Sequence, residues 1–83
     1  MTPEQHAQSM STDPKWGFAD NPVPAVAHAS TRAAQADAEG RRDQAVWWTS
    51  VGIALVALAQ PNEHVKVGEV LGQLALKYNV SLA

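Results

Sequence analysis

Between Ala45 and Ala59 the chain reads AVWWTSVGIALVALA, fifteen residues without a charge, with Arg41, Arg42 and Asp43 just before and Pro61 just after. Nothing in the run breaks a helix, and a helix that is apolar on every side belongs in the middle of an assembly or in lipid. At 1.5 Å per residue the run is about 22 Å long, short of the roughly 30 Å hydrocarbon core that takes about 20 apolar residues. Trp47 and Trp48 near one end, with two arginines before them, have the form of an interfacial belt with a positive flank. Length nevertheless makes a membrane span the lesser reading, and burial against protein is the expected state.

Within the run, Trp48, Val51, Leu55 and Leu58 follow the 3-4-3 spacing of a helix packing on another, while Trp47, Ile53 and Val56 lie off that stripe. Upstream, from Ala25 to Gln44, alanine dominates, and alanine loses no side-chain entropy in a helix. Asp37 with Arg41 and Glu39 with Arg42 add acid-before-base pairs at helical spacing, and Gly40 marks a bend. One long or once-bent helix is therefore expected from about Thr31 to Gln60. Gln60-Pro61-Asn62 reads as a turn, with Asn62 as the cap of a second helix and Glu63 in its first turn. That helix runs to about Tyr78, with Val67, Leu71, Leu74 and Tyr78 on one stripe, widened by Val70, and Glu69, Gln73 and Lys77 on another face. Asn79 suits the left-handed conformation that ends a helix, after which Val80 and Leu82 return as an apolar tail. Residues 31–83 thus make a helical hairpin, and the fold class is all-α.

Residues 1–30 hold Pro3, Pro14, Pro22 and Pro24 among polar residues and show no helical or alternating period. They read as an amino-terminal arm, extended or disordered in the free chain, that docks on an apolar surface through Trp16 and Phe18 on either side of Gly17. The charged start, apolar core and cleavage pattern of a signal peptide are missing, so no processing is expected.

Several chemistries are disfavoured by what the chain contains. Six Lys and Arg are spread along it and the formal net charge is -2, which gives no basic stripe for nucleic acid. Cysteine is absent, so there is neither a disulfide framework nor a thiolate metal site. His6, His28 and His64 lack the spacing of a helical metal pair, Ser9, Ser11 and Ser50 lack a nucleophile setting, and no glycine-rich phosphate loop is present. No metal, no cofactor and no enzymatic activity are expected. The stretch Val70-Leu71-Gly72-Gln73-Leu74-Ala75-Leu76-Lys77-Tyr78-Asn79-Val80-Ser81 resembles the first helix and turn of a helix-turn-helix, whose recognition helix these 83 residues do not contain; reading of DNA is not expected from it.

Charged residues are only 17% of the chain against 46% hydrophobic, below the roughly 25% charged usual for a soluble domain, so an apolar surface covered by a partner is expected. The apolar side chains of residues 45–83 do not by themselves offset the entropy of ordering that segment. Together these point to a structural or assembly subunit of a larger protein complex, a homo-oligomer or a particle such as a virion. Trp16, Phe18, Trp47, Trp48, Val51, Leu55 and Leu58 are its expected interface. The expected location is the cytoplasm or an assembled particle. A small single-span membrane subunit and a small regulatory protein binding one host protein are the alternatives.

Overall fold

A computed structural model describes residues 1–59 and 68–80, and among these the chain is helical with no strand. The helices are α1 (Pro3–Thr12), α2 (Val23–Ala38), α3 (Arg42–Ala59) and α4 (Glu69–Lys77). The expected turn at Gln60-Pro61-Asn62, together with Glu63, His64, Val67 and Leu82, lies outside the described residues.

The uncharged run makes up all of α3 after its first three residues, and α3 packs against each of the other three helices. Its most extensive partner is α2, where Ala25, Ala29, Ala33 and Ala36, at 4-4-3 spacing, are all buried. A stripe of single methyl groups lets two helix backbones approach closely, so the alanine-rich segment covers α3 with Val26 as the one larger apolar side chain that α2 buries. From the other helices come Ala7 and Met10 of α1 and Leu71 and Ala75 of α4, which join Val51, Ile53, Leu55 and Val56 in one buried cluster. Thr49, also fully buried, donates its hydroxyl to the Ala45 carbonyl at 2.7 Å, and Ser50 donates to Val46 at 2.9 Å. Both side chains spend their polarity on their own helix, leaving the run apolar outwards.

Residues 1–30 do not form the extended arm. They fold as α1, a turn region and the beginning of α2, and the expected boundary at residue 30 falls inside α2. Local chemistry accounts for this. Thr2 caps α1 reciprocally with Gln5: the Gln5 N–H donates to the Thr2 hydroxyl at 3.1 Å, and the Thr2 N–H donates to the Gln5 side chain at 2.9 Å. Pro3 occupies the first helical turn, where a missing N–H loses nothing. Pro24 does the same at the start of α2, where Pro22 is the N-cap residue and the Asn21 side chain accepts the Val23 N–H at 3.2 Å. The prolines therefore mark where helices begin. Between them, residues 13–22 turn on Gly17, whose φ of +56° is left-handed, and Phe18 is tucked into the core.

Nor is there one long helix from Thr31 to Gln60. Gly40 adopts φ +74°, the Gly40 N–H donates to Asp37 at 3.1 Å, and the Arg41 N–H reaches back to Ala36 at 2.8 Å. This is the Schellman end of a helix, and it reverses the chain so that α3 returns along α2. Asn79, at φ 58°, closes α4 in the same way, with the Val80 N–H on the Ala75 carbonyl at 2.8 Å. Val70, expected to widen the core stripe of α4, stands exposed, and Ala75 is buried in its place.

The contact between α3 and α4 is tightest at Gly52, where a Cβ would lie 2.8 and 2.9 Å from the two terminal carbons of the fully buried Leu71. Gly52→Ala is expected to lower stability in urea denaturation, because overpacking of about 1–3 kcal/mol outweighs the ~1 kcal/mol that alanine adds to a helix interior. In a Leu71→Ala background, which itself loses about 2–5 kcal/mol, the same substitution should become neutral or stabilising.

Candidate functional site

Two features of the surface carry side chains that the core does not use. The first is a groove of about 670 Å³ beside α3, lined along that helix by Val46, Ser50, Ile53, Ala54, Ala57 and Leu58. These positions recur every three or four residues and so form one face of α3, on which Ile53 is buried in the core while Ala57 and Leu58 are exposed. Glu4 and Gln8 of α1 form one wall, and Tyr78, Asn79 and Val80 after α4 form another. The floor holds no charged group, and Leu58 is 39% exposed.

The wall at Tyr78 is fixed by a polar tie between α2 and α4. Asp37 accepts a hydrogen bond from Lys77 Nζ at 2.7 Å and a second from the Tyr78 hydroxyl on the same oxygen. The Lys77 bond first, and the Tyr78 bond after it, hold the Asp37 carboxyl below its ordinary range. The same bonds to Asp37 raise Lys77 and Tyr78 above theirs. Lys77 and Arg42 also lie over the Tyr78 ring, at 5.4 and 5.8 Å from its centroid. The ring is thus held on both its hydroxyl and its faces.

The second feature is aromatic. Trp47 and Trp48 meet edge to face at 5.0 Å and, with Asp43 and Gln44, line a cleft of about 440 Å³. His6 of α1 lies 5.0 Å from Trp47 and 5.5 Å from Trp48. On the other side, His28 of α2 lies 5.5 Å from Trp48 and 4.9 Å from Trp16 in the turn region. Five rings from four segments therefore form one chain of contacts, Trp47, His6, Trp48, His28 and Trp16.

No protein-family model matches the chain, and comparison with curated proteins and with solved structures returns no match either. What the molecule does has to be argued from its own surface. Among the described residues, no helix is long and apolar enough to cross a membrane, and no three His, Asp or Glu side chains converge as metal ligands would.

The residues singled out in the sequence divide sharply. Val51 and Leu55 are fully buried and Phe18 nearly so, all three in the chain's own core. Trp16, Trp47 and Trp48 are half-buried at the core edge, and Leu58 lies in the groove. The other groove positions were not selected beforehand, although Ser50 and Ala54 form a small pair at four-residue spacing. His6 and His28 also went unrecognised, since the metal-pair spacing that would have singled them out is absent and their ring partners are far away in sequence.

The Asp37 tie has a pH signature. A carboxyl held low in the folded chain contributes stability that is complete above its unfolded value, about pH 4, and is lost as the pH falls through the folded one. Wild type should therefore show an acid-destabilisation limb below about pH 4 in thermal scans. Asp37→Asn should reduce that limb while leaving the shape of the curve near neutrality unchanged.

Proposed function

We propose that this chain is a non-enzymatic assembly subunit whose groove beside α3 receives an apolar helix from another protein subunit. The observation that supports the reading is the uncharged groove along α3 between Val46 and Leu58, with Ala57 and Leu58 exposed in it. Ser50, Ala54 and Ala57 are small, and small residues at helical spacing admit a second helix backbone at close range. Val46 and Leu58 then supply the apolar contacts on either side, in the manner of a helix lying in a groove. Glu4 on the wall favours a partner helix that carries a basic residue beside its apolar face.

In this reading the aromatic anchors keep a secondary place, because Trp47 and Trp48 stand next to the groove and are already packed on His6 and on each other. The chain's own amino-terminal third covers part of α3, and in this reading association serves the groove.

The test places a photoreactive residue at Ala57, which is exposed and lines the groove. Crosslinking within the native complex should join it to one partner protein, at an apolar helix. Ala57→Glu and Leu58→Glu, both at exposed positions, should weaken co-purification of that partner by about tenfold or more, since each buries a charge without a counterion. Circular dichroism should stay that of wild type. Undiminished co-purification with both variants would refute the groove as the interface.

A further inference from the structure

His28 is gripped by Trp16 on one side and Trp48 on the other, and His6 shares Trp48 with it at the same 5.5 Å. The four ring contacts of the two histidines therefore join α1 and the turn region to α2 and α3. Among the described residues, the charges acting on His28 are positive: Arg32 one turn along α2, Lys15 from the turn region and His6 from α1. From α3 the ring that faces it is the uncharged Trp48, and the acid near the tryptophan pair is Asp43, on the cleft side of Trp47 and Trp48. Lys15 itself lies over the outer part of the Trp16 ring, 5.6 Å from its centroid. An imidazolium formed here would sit among two permanent cations and a second histidine.

We propose that this histidine–tryptophan cluster is an acid-sensitive latch: protonation of His28 loosens α1 and residues 13–22 from the α2–α3 pair and uncovers the side of α3 that Ala7 and Met10 close. The chain of contacts is what gives one proton its reach, because Trp48 touches both histidines and each histidine is bound to a different segment of the amino-terminal third. Attraction of an imidazolium to the tryptophan faces opposes release; burial and then the surrounding positive charge act the other way and lower the affinity of His28 for a proton. A base whose folded value is lowered favours the folded state at high pH. That preference is complete above the unfolded value, about 6.5, and is lost as the pH falls from there through the folded value.

The latch acts in the isolated chain, so its test needs no partner. Hydrogen exchange of the full chain, corrected for intrinsic rates, is compared at about pH 7.5 and about pH 5, either side of the ordinary histidine range. The expected result is a loss of amide protection in α1 and residues 13–22 at the lower pH, with the α2–α3 core still protected. Tryptophan emission should shift to the red over the same interval. His28→Phe keeps an uncharged ring between Trp16 and Trp48 and should abolish both changes; His28→Gln, read in the same way, covers the case in which the phenylalanine does not fold. Retained α1 protection in wild type at about pH 5 would overturn the proposal. So would equal loss in every helix, or an unaltered pH response in the variant that folds.

Discussion

A helix with no charge over fifteen residues has no side that prefers water, and the arrangement of this molecule follows from covering α3. Two kinds of small residue make the cover possible. The alanine face of α2 brings a whole helix close along the length of α3, and Gly52 opens a hole into which Leu71 of α4 fits. Large side chains are needed on only one side of each contact. A segment that seems too poor in apolar mass to contribute to a core is therefore its broadest wall, since burial depends on area removed from water and small residues remove it by letting backbones approach.

The polar groups are arranged so that none interrupts this core. Thr49 and Ser50 turn their hydroxyls onto α3's own carbonyls, and Asp37, Lys77 and Tyr78 meet at the periphery, where α2 and α4 come together. Specific polar pairing thus fixes how α4 lies against α2 while apolar contact supplies the adhesion. The histidines are the exception: they stand at the core edge among aromatic rings, with like charges from described residues acting on one of them.

Much of the interior could be read from periodicity. The 3-4 spacing of Val51 and Leu55 and of Leu71 and Leu74 picked out residues that the structure buries, and Asn79 was recognisable as a helix end. The amino-terminal third is hard to read because its prolines look like breakers, when Pro3 and Pro24 lie in first turns and Pro22 is an N-cap, and because the Thr2–Gln5 capping box that starts α1 is a short-range signal among polar residues. Gly40 was legible as a bend, but whether a glycine bends a helix or reverses it depends on the left-handed torsion it takes, and that is decided by the gain from packing α2 on α3. The groove and the ring cluster were out of reach for a related reason. Each is defined by what other segments leave open or bring together, and short-range spacing carries neither.

The three residues Glu39, Gly40 and Arg41 are all that separates α2 from α3. Closing so short a connection loses little chain entropy, and the two helices it joins make the broadest contact in the molecule. Contacts that are near in sequence form early, so the α2–α3 pair is the natural nucleus of folding, with α1 and α4 joining afterwards from either end. Gly40 therefore governs the order of assembly as well as the path of the chain.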